Sequence, residues 1–329
     1  MYYYVFGAVL LMLYSCQMSS DPFPAVQDIK ECPTTTMVAT MEEQVDWDKN
    51  ILYCPTLLYA WQEIKDTLPQ PFVIDTSFSS LECLNNSLGH VGALEEGDYE
   101  KNITVGARQI VATTFFKANL LLETPLEKDP INLSFDGKEV ACFGGYGDNK
   151  VVSSQAQVLF YESKEELAVL LSPKDSSQSL IFYKTKDTQQ RTLEERYAVL
   201  KEKIVRYHSN APKANTWIKK DILALPTLAF NLEKNYSDLE GTSFSSGSDP
   251  FSITKVQQRI ALALDETGVL IESEAEVVVS RSIYEQIQSR APLRLVFDDD
   301  FLLVAKKRTA EQPFLLAWIS DGTFMTVSN

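Results

Sequence analysis

Residues 254–279 read TKVQQRIALALDETGVLIESEAEVVV, and this stretch decides the fold. Val256 to Leu264 is a strand candidate, rich in β-branched and aliphatic residues. Asp265-Glu266-Thr267-Gly268 has the composition of a tight turn, because Asp bonds its own backbone and Gly tolerates positive φ. Beyond the turn, residue character alternates. Val269, Ile271, Ser273, Ala275, Val277 and Val279 share one face; Leu270, Glu272, Glu274, Glu276 and Val278 share the other. Side chains alternate across a strand, so this is the period-2 pattern of a strand with one buried face. Burying one Val or Ile contributes roughly 1.5–3 kcal/mol, so the odd-numbered face favours a place inside a sheet by several kcal/mol.

Outward from this stretch, strand candidates dominate. Before it lie Arg108–Leu122 (RQIVATTFFKANLLL), Glu139–Phe143 behind an Asp136-Gly137 hairpin turn, Gln157–Tyr161, Leu167–Leu171, Ser179–Tyr183 and Ile222–Leu232. After it lie Leu293–Phe297, Phe301–Lys306 and Phe314–Ile319. Two helices stand out. Cys54–Asp66 (CPTLLYAWQEIKD) carries Leu57, Leu58, Trp61 and Ile64 at helical spacing, with Pro55 suited to a first turn. Thr192–Tyr207 opens with a capping box, Thr192 and Glu195, and lines up Leu193, Tyr197, Leu200 and Ile204. The Ser-rich run Thr242–Asp249 reads as a loop and Gly144-Gly145-Tyr146-Gly147 as a turn. The fold class is α+β.

The 329 residues include 30 Lys and Arg against 45 Asp and Glu, a net charge of −15. Nucleic-acid binding and adsorption to anionic membranes both need a basic face, so both are excluded as expectations. Tyr2–Tyr14 is almost wholly apolar, too short to span a bilayer and suited to the core of a signal peptide. Leu13-Tyr14-Ser15-Cys16 resembles a bacterial lipobox, which would make Cys16 a lipidated N-terminus. The expected organisation is a signal peptide over 1–15, a Pro- and Thr-rich tether over 16–40 and one domain over 41–329. Localisation is then the cell envelope or the exterior, with membrane contact only through the lipid.

Cys32, Cys54, Cys83 and Cys142 remain, enough for two disulfides with three possible pairings. Cys54 and Cys142 sit in apolar contexts and read as buried thiols, which leaves Cys32 with Cys83 as the pair to test. Their spacing fits no zinc motif. His90 and His208 are far apart and read as surface or packing residues. No metalloprotease helix, phosphate-cradling loop, nucleophile elbow or dinucleotide fingerprint occurs. The chain is therefore expected to be neither an enzyme nor a cofactor or metal binder. Asp298-Asp299-Asp300 reads as a solvated turn.

Five segments, in order, resemble the serpin family. Asp48–Ala60 (DKNILYCPTLLYA) is similar to its second-helix region. Ile110–Phe135 (IVATTFFKANLLLETPLEKDPINLSF) is similar to its "LVNAIYFKGKW…PF…F" stretch, and Leu225–Leu239 (LPTLAFNLEKNYSDL) to "LPKFKIESEYDL". Thr254–Gly268 resembles "SKVVHKAFIEVNEEG", the strand leading into the reactive loop. Phe301–Ile319 (FLLVAKKRTAEQPFLLAWI) resembles the closing pair. The resemblance implies a large mixed sheet with packed helices, here with the N-terminal helical region reduced. It also implies an inhibitor of serine or cysteine endopeptidases, whose loop is cleaved and inserts as a new strand. Glu266, Gly268, Val269 and Ile271 would then be the hinge. Arg281-Ser282 would be the bait bond for a trypsin-like target protease, and Arg290-Ala291 a second choice. The bulk of Val269, Leu270 and Ile271 departs from the small residues of inhibitory hinges. That keeps a second function open, a non-inhibitory binding or structural module on the envelope.

Overall fold

A computed structural model describes residues 23–74, 79–91, 94, 99–106, 109–116, 120–187, 189–210, 216–269 and 290–328. In chain order the first elements are β1 (Gln27–Asp28), β2 (Thr35–Val38), β3 (Asn50–Tyr53), α1 (Thr56–Thr67), β4 (Phe72–Ile74) and α2 (Ser79–Asn86). Next come β5 (Tyr99–Val105), β6 (Gln109–Phe116), β7 (Leu120–Leu121), β8 (Glu127–Lys128), β9 (Leu133–Phe135), β10 (Lys138–Val140) and β11 (Cys142–Tyr146). Then follow α3 (Lys150–Gln155), β12 (Ala156–Ser163), β13 (Glu166–Leu171), β14 (Gln178–Lys184), α4 (Leu193–Asn210), β15 (Ile222–Pro226) and β16 (Leu228–Asn235). The last are β17 (Ser243–Ser246), β18 (Asp249–Asp265), β19 (Gly268–Val269), β20 (Arg294–Val296), β21 (Phe301–Lys307) and β22 (Leu315–Ile319).

Seven strands form one sheet in the order β12-β13-β14-β21-β22-β3-β2. Nine form a second around β18, which pairs with β16, β17, β6 and β19; β5 extends it beyond β6, and β7 beyond β19. A four-stranded sheet, β20-β15-β11-β8, and the β9–β10 hairpin complete the framework. The architecture is α+β, with large mixed sheets and few helices, as the sequence implied.

Local chemistry explains the elements. Asp136 and Gly137 take φ of 48° and 73°, the two positive values that a tight hairpin turn requires between β9 and β10. Thr192 Oγ1 accepts from the Glu195 amide at 3.1 Å, and the Glu195 carboxylate accepts from the Arg191 amide at 2.6 Å, closing the cap of α4. Leu193, Tyr197 and Leu200 then pack on one face of the seven-stranded sheet. Leu57, Leu58, Trp61 and Ile64 of α1 pack with Ile110, Ala112 and Val256 beneath the nine-stranded sheet.

Three expectations are corrected. The tether does not extend to residue 40: β1 pairs with β16, β2 pairs with β3, and Met37 is fully buried. Its prolines and threonines masked a short apolar strand. The Ser-rich run is not a loop, since β17 makes a hairpin with β18 and carries the buried Phe244, stacked 4.5 Å from Phe72. The glycine run is strand β11, not a turn. A Cβ on Gly144 would lie 2.0 Å from the Leu223 carbonyl oxygen, so glycine there permits β15 to approach.

Candidate functional site: a parallel seam and the short strand at its mouth

At the centre of the nine-stranded sheet β6 and β18 pair directly and in parallel, from Gln109 with Ser252 to Phe116 with Ile260. Beyond Ile260 the neighbour of β18 changes. Leu264 pairs with Val269 and Asp265 with Gly268, while Gly268 also pairs with Leu121 and Val269 with Leu120. The two residues of β19 thus sit as a wedge where the seam forks. Both flanking pairings are antiparallel, and the seam below is parallel.

The turn that delivers the wedge is tightly built. Asp265 Oδ1 accepts from the Thr267 amide at 2.8 Å and from its hydroxyl at 2.6 Å. Leu122 and Leu126 donate their amides to the carbonyls of Thr267 and Glu266. Glu266 pairs with Lys128 at 2.7 Å. Gly268 has φ of 100°, and a Cβ there would lie 2.5 Å from the Leu120 carbonyl oxygen. Only glycine suits both the backbone and the space.

Beneath the seam lies a buried polar network that joins its two strands to the start of α1. Thr114 on β6 donates to Thr56 at 3.1 Å, and Gln258 on β18 donates to Thr56 at 2.7 Å and to the Cys54 carbonyl at 2.9 Å. Tyr236 on the strand-end after β16 donates to Gln258 Oε1 at 2.8 Å. Gln258 and Thr56 are fully buried. Sequence reading missed this network, because Thr56, Thr114 and Gln258 look like ordinary polar residues until the strands are placed side by side. Burial pushes the Cys54 thiol up to about 12, so it is no nucleophile at neutral pH.

The other expected site residues separate into three groups. Cys16, Ile271, Arg281 and Ser282 lie outside the described residues, as do the first 22 residues of the chain. Arg290, the second-choice bait, is held in place: its guanidinium contacts both oxygens of the fully buried Asp221, at 2.8 and 2.5 Å, and the Thr216 carbonyl at 2.8 Å. A side chain so anchored is only partly accessible. All four described cysteines are free, so Cys32 and Cys83 do not pair. Cys32 lies in the central core, and the Cys83 thiol on α2 faces the Thr40 hydroxyl at 3.4 Å.

Of the two readings of His90, surface or packing, the structure gives a buried residue. It is buried between Glu42 and Glu194, and these three form a group able to hold a metal ion among the described residues. The acidic triplet is also less solvated than expected: Asp298 pairs with the buried Lys184, and burial, then Asp299, pushes the Asp300 carboxyl up to about 6. Among the described residues no helix is long and apolar enough to cross a membrane.

No protein-family model and no curated protein matches the chain. In fold it is similar to solved serpins and to thyroxine-binding globulin. Human thyroxine-binding globulin complexed with thyroxine aligns with a TM-score of 0.42 at 12% identity, over 74% of this chain and 62% of that one. Manduca sexta serpin-12 aligns with a TM-score of 0.39 at 16% identity, over 67% and 57% of the two chains. A serpin of the trematode Schistosoma haematobium aligns with a TM-score of 0.38 at 10% identity, over 64% and 56%. The chain thus spans less than two thirds of the length of each of these structures.

Proposed function

We propose that the protein is an exported, serpin-like inhibitor that traps a serine or cysteine endopeptidase by cleavage and insertion of the loop after Gly268. The observation that carries this reading is the forked seam. The two pairings of β19 and the direct pairing of β6 with β18 keep one register: Leu264 and Leu120 flank Val269, and the pairs Ile260–Phe116 and Gln258–Thr114 hold the same sequence offset. A strand continuing from Val269 would therefore enter between β6 and β18, parting them by one strand spacing, without changing the register of either. It would set Ser273 between Phe116 and Ile260, Ala275 between Thr114 and Gln258, and Val277 between Ala112 and Val256. The flanking side chains at these positions are all buried.

This register sends the odd-numbered face inward, as the alternation of 269–279 requires. The small Ser273 and Ala275 would meet the large Phe116 and the polar network, and Glu274 would lie beside Arg259 on the outer face. Insertion would replace one parallel interface with two antiparallel ones, which are slightly stronger per residue. In this reading Arg281-Ser282 is the bait, the protease is trypsin-like, and Cys16 tethers the inhibitor to the envelope. The second reading, a non-inhibitory envelope module, is favoured by the bulk of Val269, Leu270 and Ile271, which slows entry into the seam.

Trypsin incubation tests the proposal. The expected result is a complex that survives denaturant, cleavage after Arg281, and a rise in the melting temperature of the cleaved form. Cleavage with neither complex nor stabilisation would overturn it and leave the module.

A further inference from the structure

We propose that Glu42, His90 and Glu194 form a divalent-cation site of the zinc class, independent of the loop and its seam. The three residues come from distant parts of the chain. Glu42 lies in the segment after β2, His90 ends the 3-10 turn Ser87–His90, and Glu194 is in the first turn of α4. Backbone and side-chain bonds hold these pieces together. The Glu194 amide donates to the Met41 carbonyl at 3.0 Å, the Val45 amide donates to the Arg191 carbonyl at 3.0 Å, and Gln44 bridges Thr192. Ser87 donates to Glu42 Oε2 at 2.8 Å, which orients that carboxylate and leaves Oε1 toward the imidazole.

One donor atom from each residue lies within 4.8 Å of the others, the spacing an ion needs. The closest approaches are His90 Nδ1 to Glu42 Oε1 at 3.5 Å and Nε2 to Glu194 Oε1 at 4.0 Å, and a single ion would take one of the two ring nitrogens. Two features call for a positive charge at this place. His90 retains 9% of its exposure, yet its Nδ1 is buried without a hydrogen-bond partner. Two carboxylates also approach one another with only that imidazole between them. A buried polar atom left unpaired costs free energy, as does a pair of like charges. A cation bound to Nδ1 and to both carboxylates removes both costs.

The donor set names the class. One imidazole nitrogen and two carboxylate oxygens suit zinc and neighbouring first-row divalent ions, whereas magnesium and calcium prefer all-oxygen shells. Tetrahedral ligands at about 2.0–2.2 Å from zinc stand roughly 3.3 Å apart, so side-chain shifts of about 1 Å would close the site around an ion with a water as fourth ligand. The bound ion would clip the start of α4 to the segment after β2 and to the end of the α2 region.

The test is a zinc titration of the purified chain against a competing chelator, with thermal melts in zinc and in magnesium. Expected are one zinc per chain at micromolar concentration and a melting temperature that rises with zinc but not with magnesium. Glu194 is half exposed, so Glu194→Gln folds normally and should weaken zinc binding by roughly tenfold or more. His90→Ala should abolish binding, and cobalt substitution should give a spectrum without a thiolate charge-transfer band. Failure to bind zinc at micromolar concentration, equal affinity in Glu194→Gln, or a thiolate band that places the ion on a cysteine would each overturn the proposal.

Discussion

The two large sheets of this protein are built to opposite ends. In the seven-stranded sheet both faces are buried. Leu167, Val169, Phe182 and Leu303 face the central core, while Ala168, Ile181, Tyr183 and Leu302 face the layer under α4. In the nine-stranded sheet the central strands alternate: β6 buries Ile110, Ala112, Thr114 and Phe116 and leaves the intervening residues partly exposed, and β5 is mostly exposed. A sheet gripped on both faces cannot part without opening two cores. If a sheet gripped on one face were to part at its parallel seam, as proposed for this one, it would slide over a single core.

The largest effect that could break this comparison concerns the seam. If 269–279 enters it after cleavage, the buried Val and Ile residues should raise the melting temperature of the cleaved form on the order of 10–20 °C. Ala275→Arg puts a charge on the inward face and should remove that rise while leaving the melting of the intact protein unchanged. A cleaved Ala275→Arg protein that still gains stability would show that the seam never opens. The next effect belongs to the other sheet. Phe182→Ala opens a cavity beneath Phe297 and Phe301 and should cost about 3–5 kcal/mol. Denaturant melts of intact and cleaved protein should show the same loss, because insertion does not touch this sheet.

Smaller effects sharpen the picture. Gln258→Leu leaves the Tyr236 hydroxyl and the Cys54 carbonyl without this partner and should cost about 1–3 kcal/mol. The loss should differ between intact and cleaved protein, since the network lies directly under the seam. The smallest concerns Asp300, whose carboxyl is raised by burial and by Asp299 to about 6. A raised carboxyl favours the protonated fold, so its contribution is full below about pH 4 and is lost as pH rises through about 6. Asp300→Asn should therefore raise the melting temperature at pH 7 by about 1–2 °C, a modest figure because the group is partly exposed, and flatten the pH profile between 4 and 7.

Much of the framework was legible in the sequence. Alternation marked the strands, the spacing of Leu57, Leu58, Trp61 and Ile64 marked α1, and Asp136-Gly137 marked its hairpin. These features are local: each depends on a few neighbouring residues and on which face they bury. The misreadings at 23–40, 144–147 and 242–249 arose where a strand owes its place to a partner distant in sequence, β16 and β3, β15, or β4. Composition there favoured turns and tethers, and tertiary pairing overrode it. The odd-numbered face of 269–279 was visible from alternation alone. That the pairings of Val269 share one register with the seam was not, because it depends on β6, β7 and β18 being brought together. The group of Glu42, His90 and Glu194 and the network of Thr56, Thr114 and Gln258 left no spacing to read for the same reason. The sequence by itself determined which residues can share a face; only the tertiary structure decided which faces and distant side chains meet, since that choice rests on contacts between segments far apart along the chain.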